Sequence, residues 1–182
     1  MNHIGTQKLE STRLILRQFT DSDAGAMYQN WASDPKVTHH LTWPPHAGIE
    51  VTESLLSDWI KQYDQPHVYN WLIEEKNLRT PIGSITVVRQ DERLQSAEIG
   101  YCIGTPWWHQ GYATEACKTV VDFLFDQVGF CQICARHVTD NPHSGAVMQK
   151  VGMRPEGILL NAVQTNHGLC DVVLYHLRRT NR

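Results

Sequence analysis

Residues 107–116 read WWHQGYATEA: two bulky aromatics running into Gln110-Gly111-Tyr112-Ala113. Downstream, Ala113, Ala116, Cys117, Val120, Val121, Leu124 and Val128 recur at helical spacing, and Gly129 is a good terminator. The chain therefore strips its side chains down to Gly and Ala where a helix begins. A helix N-terminus leaves N–H groups without internal partners and carries the positive end of the dipole, which together bind anions. A ligand reaches those amides only past small side chains. Gly111 has no Cβ, Ala113 keeps the wall low, and Thr114 can add a hydroxyl donor. The stretch reads as a pocket floor for a pyrophosphate, with a plain strand-to-helix turn as the alternative. It is not a nucleotide P-loop, because no Gly-Lys-Ser/Thr follows. It is not a dinucleotide fingerprint either, since the second and third glycines are missing.

Working outward, "SAEIGYCIG" (96–104) alternates as a strand. Ala97, Ile99, Tyr101 and Ile103 share one face; Glu98, Gly100 and Cys102 share the other. Upstream, "TRLILRQF" reads as a strand. Asp21 is a candidate N-cap for a helix to about Trp31, ended by Asp34-Pro35. "LTWPPHAG" is a loop stiffened by two prolines. A helix follows over about Ile49 to Tyr63, then strands at "VYNWLIEE" and "PIGSITVVR" around a turn near Lys76-Asn77. Beyond Gly129 come a strand near Cys131 to Thr139 and a short helix with Asn141 capping and Pro142 at its first position. Strands "GILLNAVQ" and "CDVVLYHLR" close the chain around a hairpin turn at Asn166-His167-Gly168. The order predicts a mixed α/β domain with one central sheet.

The 182 residues suit one domain with a core of its own. A formal charge of −3 gives no global pull toward nucleic acid or an anionic membrane. No apolar run approaches a membrane span, and the first residues lack a signal peptide's apolar centre, so a cytoplasmic setting is expected. Five cysteines at irregular spacing argue against a disulfide framework. Cys131-x-x-Cys134 invites a redox or zinc reading, but on a strand these positions point to opposite faces. No metal is expected; His39, His40 and His46 read as polar lining of a loop.

"AEIGYCIGTPWWHQGYATEA" together with "NPHSGAVMQKVGMRPEG" resembles the GNAT superfamily of acetyl-coenzyme A dependent N-acetyltransferases. Within it, the chain is most similar to the branch of ribosomal-protein N-terminal alanine and serine acetyltransferases. "STRLILRQFTDSDA", "SDPKVTHHLTWPPH", "IGSI" and "DVVLYHL" extend the likeness over about residues 9 to 178. It implies a single α/β (α+β) domain across the chain. A mixed, mostly antiparallel sheet of about seven strands would be flanked by about four helices. The superfamily's Gln/Arg-x-x-Gly-x-Gly/Ala motif falls on Trp108-His109-Gln110-Gly111-Tyr112-Ala113, with Trp108 in place of the first polar residue. Backbone amides do not depend on that side chain.

Acetyl transfer to an amine needs a neutral nucleophile, a donor for the tetrahedral oxyanion, and a proton for the leaving thiolate. Glu98 is the expected base, directly or through water, in a direct ternary-complex attack. The resemblance implies a backbone N–H near Cys102 or Ile103 for the oxyanion. It also implies a contact from Ser144 to the coenzyme A sulfur, with Tyr175 as the usual alternative acid. Asn141 is expected on the pantetheine arm, and Trp43 and His46 as walls of the acceptor pocket. An α-amine, with a pKa near 8, fits a modest base better than a lysine does. The expected acceptor is thus a peptide N-terminus or a small amine, with neither DNA nor membrane as partner and a monomer or homodimer as the assembly. A non-catalytic coenzyme A sensor on the same fold is the alternative.

Overall fold

Eight strands form one sheet in the computed structural model, which describes residues 1–179. They are β1 (Leu9–Glu10), β2 (Leu14–Arg17), β3 (Asn70–Glu75), β4 (Thr80–Asp91), β5 (Ser96–Ile103), β6 (Gln132–Val138), β7 (Arg154–Thr165) and β8 (Gly168–Arg178), in spatial order β1-β2-β3-β4-β5-β6-β8-β7. The eighth strand beyond the expected seven is the two-residue β1, too short to show a period in sequence. Every neighbouring pair is antiparallel except β5 and β6.

That parallel pair positions the site. Its register covers only Ser96↔Gln132, Ala97↔Ile133 and Glu98↔Cys134; past Glu98 the pairing ends and the strands part. Two elements hold the parting open. Helix α4 (Tyr112–Phe123) lays Ala116, Cys117, Val120 and Val121 on the face of β5 that carries Ala97 and Ile99. Helix α5 (Pro142–Val151) comes unusually close to the sheet at Gly145, where an added Cβ would stand 2.6 Å from His137 Nε2 and 3.1 Å from the Tyr175 hydroxyl. Only a glycine allows that approach.

The opposite face is covered by α1 (Ala24–Met27), which runs on as a π-helical turn over Tyr28–Ala32, and by α3 (Ile49–Gln62). Phe19, Met27, Trp31, Leu56 and Leu72 form the second core there. Thr20, not Asp21, caps the first helical turn: Asp23 reaches back to the Thr20 N–H at 2.8 Å. Asp34-Pro35 does more than end a helix. Asp34 accepts from Lys36 N–H at 2.8 Å and caps α2 (Pro35–Thr38), a fifth helix where four were expected. No helix among the described residues is long and apolar enough to cross a membrane.

Candidate active site

The parted strands open into a cavity of about 690 Å³. One end is the start of α4. Gly111 caps it in the left-handed region, φ +83°, which a side chain would strain. The first intrahelical bond is Glu115 N–H to Gly111 O at 3.1 Å, so the N–H groups of Tyr112, Ala113 and Thr114 have no partner within the helix. All three residues line the cavity. So do Trp108 and His109; the Trp108 indole donates to Ile103 O at 2.6 Å. Gln110 does not: its side chain turns back to donate to Pro106 O at 2.8 Å.

Arg13, which sequence reasoning missed, fixes this corner. It donates to Gln110 O at 3.0 Å and Glu115 Oε2 at 2.7 Å, and lies 4.3 Å over the Tyr112 ring. Burial would raise the Glu115 carboxyl, but hydrogen bonds from the Arg13 N–H, the Ser11 hydroxyl and the Arg13 guanidinium outweigh it and hold its pKa low. Arg13 stands about a hundred residues away in sequence with no motif of its own. Only the fold reveals it.

The cavity wall carries Lys36, Lys150 and four histidines, His39, His40, His109 and His143, and, among the described residues, no carboxylate. Exposed helix-start amides plus two ammonium groups fit a polyanionic ligand such as coenzyme A.

Along the middle of the cavity lie Tyr101, Cys102, Ile103, Asn141 and Ser144. Gly104 N–H donates to Ile82 O on β4 at 2.8 Å. Strand alternation then aims Cys102 N–H the same way, and Ile103 N–H toward the open side where β6 has left. Of the two oxyanion donors expected, Ile103 is the one so directed. Asn141 caps α5, accepting from Ser144 N–H at 3.4 Å. The Tyr101 hydroxyl donates to Ser144 O at 3.0 Å and lies 2.9 Å from Ser144 Oγ, bridging the parted strand to α5. Burial pushes the Tyr101 hydroxyl pKa far up, so it stays protonated. Tyr101 was read as core-facing. The structure gives it that packing and a polar end in the cavity.

Besides Gln110, four expected residues do not reach this cavity: Glu98, Tyr175, Trp43 and His46. Glu98 sits at the last paired rung, its two carboxylate oxygens taken by Arg136 Nε at 2.5 Å and Nη2 at 3.1 Å, and it is absent from the lining. A carboxylate held on both oxygens suits a brace, so the base role expected of it does not match its setting. Tyr175, expected as the alternative acid, is 5% exposed in the core, its ring against His137 and its hydroxyl accepting from Gln149 at 3.5 Å, outside the lining. Trp43 and His46 pack elsewhere: His46 Nδ1 lies 2.7 Å from the buried Thr52 hydroxyl of α3, and the Trp43 ring lies tilted 5.3 Å from that of His46. The wall they were expected to form is made by His39, His40 and Leu41 instead. Burial lowers the His40 pKa, with Asp140 opposing and His39 and His167 adding to the shift. Cys131 and Cys134 are free, as are the other three cysteines.

Residues 13–154 match the acetyltransferase (GNAT) domain family. The Bacillus subtilis N-acetyltransferase YoaA is 32% identical over 93% of this chain and 95% of its own length. Among solved structures, the ribosomal α-N-protein acetyltransferase RimL in complex with coenzyme A superposes with a TM-score of 0.84 at 20% identity, covering 94% of this chain and 98% of that one. The microcin self-immunity acetyltransferase MccE, with acetyl-coenzyme A and AMP, gives 0.83 at 19% identity, covering 93% and 94%. With these matches spanning the helix-start amides and the parted strands alike, the chain belongs to the GNAT acetyltransferase family and is an acetyl-coenzyme A dependent N-acetyltransferase.

Proposed function

We propose that this enzyme acetylates an α-amine, a protein or peptide N-terminus, inside a ternary complex. The carrying observation is the make-up of the cavity's lining. Helix-start amides, two lysines and four imidazoles line it, and the Ile103 N–H points into the gap where β5 and β6 part. Bound acetyl-coenzyme A supplies the thioester carbonyl and a thiolate leaving group. The amides of Tyr112, Ala113 and Thr114, with Lys36 and Lys150, hold its phosphates, and Asn141 meets the arm that leads into the gap. Ile103 N–H is aimed to stabilise the oxyanion. Ser144 Oγ holds the proton for the leaving sulfur, and the Tyr101 hydroxyl, which stays protonated, positions Ser144 through its contacts with Ser144 O and Oγ. Glu98 and Arg136 brace the rung from which the strands part.

An α-amine with a pKa near 8 is about a tenth neutral at pH 7, so it needs no strong base, whereas a lysine near 10.4 does. The absence of a carboxylate from the lining favours the first. The likeness to RimL points the same way. Five free thiols fit a reducing compartment, the cytosol. The test is an acceptor screen followed by release of free thiol. It covers peptides beginning with Ala or Ser, the same peptides with blocked N-termini and a free lysine, polyamines and aminoglycosides. Turnover confined to free α-amines is expected; transfer to lysine or polyamine alone overturns the acceptor class. No transfer to any amine, with coenzyme A still bound, would favour the sensor reading.

A further inference from the structure

We propose that His39, His40 and Asp140, with His167 as fourth donor, form a site for a divalent transition-metal ion at the acceptor edge of the cavity. Ligand atoms of the first three all lie within 4.8 Å of one another. His40 Nδ1 and Asp140 Oδ1 already stand 3.4 Å apart, which is about the edge of a tetrahedron around an ion with ~2.0–2.1 Å bonds. The His167 ring centroid is 4.3 Å from that of His39.

These donors come from three segments that the fold binds together: the loop after α2, the turn between β6 and α5, and the β7–β8 hairpin turn. Asn166 fastens the hairpin to the loop, donating to Thr38 O at 3.0 Å and Trp43 O at 2.7 Å. Between them is a crevice of about 60 Å³ lined by His39, His40, Asp140, His167 and Cys170. That is room for an ion and one water. Imidazoles with one carboxylate suit Zn²⁺ and its neighbours Co²⁺ and Ni²⁺ rather than Mg²⁺ or Ca²⁺. His39 and Asp140 are exposed, so small side-chain rotations close the remaining gap. The ion ties the three segments across the edge where the acceptor enters. The sequence reading expected no metal because it saw adjacent loop histidines without Asp140 and His167, which are remote along the chain.

The test uses the full-length chain, stripped with chelator and then freed of it, without coenzyme A. Zn²⁺ is titrated calorimetrically, and Co²⁺ by its visible absorption. One equivalent per chain is expected, with tetrahedral Co²⁺ bands and a higher melting temperature. Binding should weaken about tenfold or more in each of His40→Ala, Asp140→Asn and His167→Ala, and hold in His109→Ala. His109 and His143, whose rings lie 5.0 Å apart, are the rival histidine pair in the cavity. Absence of stoichiometric uptake at micromolar metal overturns the proposal. So does uptake that survives His40→Ala and Asp140→Asn but is lost in His109→Ala. Neither result touches the acetyl-transfer reading, which is assayed separately.

Discussion

Replacing Arg136 separates a brace from a base. Arg136 and Glu98 side chains are 26% and 13% exposed and share two hydrogen bonds. Removing one partner of a fully buried pair costs ~3–5 kcal/mol. An exposed pair is worth at most ~1 kcal/mol. With a quarter and an eighth of the two side chains in water, Arg136→Met should cost about 2 kcal/mol, or roughly 4–8 °C of melting temperature for a chain of this size. Glu98→Gln keeps the shape and part of the bonding and should cost about 1 kcal/mol. The double variant should lose less than the sum, because neither charge is left alone. As a brace, Glu98 lets kcat fall less than ~10-fold in both single variants. A general base is worth ~10²–10⁴-fold. Thermal melts and steady-state kinetics from pH 6 to 9, read by free thiol, decide it. A fall in kcat beyond ~100-fold in Glu98→Gln, with the melting temperature unmoved and Arg136→Met nearly normal, would refute the brace and restore the base.

Ser144→Ala should lower kcat by ~10–100-fold while coenzyme A affinity, measured by calorimetry, stays within about twofold, since general acid catalysis and phosphate binding are separate here. Gly111→Ala puts a Cβ at φ +83° and should cost ~1–2 kcal/mol of stability and loosen coenzyme A. Gly145→Ala should be worse for kcat than for coenzyme A affinity, because it lifts α5 and Ser144 off the sheet. The low Glu115 pKa means its contribution to stability is complete above the ordinary glutamate value near 4.5 and drains as pH falls through the lower folded value. Glu115→Gln should therefore flatten the acid limb of a urea-denaturation series and leave the slope near pH 7 unchanged.

The longer strands were legible by their alternation, and α3, α4 and α5 by their period or caps: the apolar stripe of α4 closed by Gly129, and Asn141-Pro142 opening α5. The helix-start amides were legible for the same local reason, whereas Ser144 was picked out by the family resemblance alone. What escaped depends on distance along the chain. Glu98 has the right face and residue type, yet its partner Arg136 is supplied by another strand. Tyr101 alternates with core residues, and nothing nearby announces the Ser144 hydroxyl it meets. Trp43 was placed by proximity in sequence, but it packs beside His46 and α3, and the wall falls to His39 and His40.

The three rungs joining β5 to β6 also set the mechanics of the molecule. Five strands form one leaf and three form the other, hinged at one corner and latched opposite by the Tyr101–Ser144 contact. A guest in the notch touches both leaves, so its arrival stiffens the joint as a wedge driven home stiffens a split beam. Slowed amide exchange at Tyr101 and Ile103, far out of proportion to any change in the outer strands, is the signature of that stiffening.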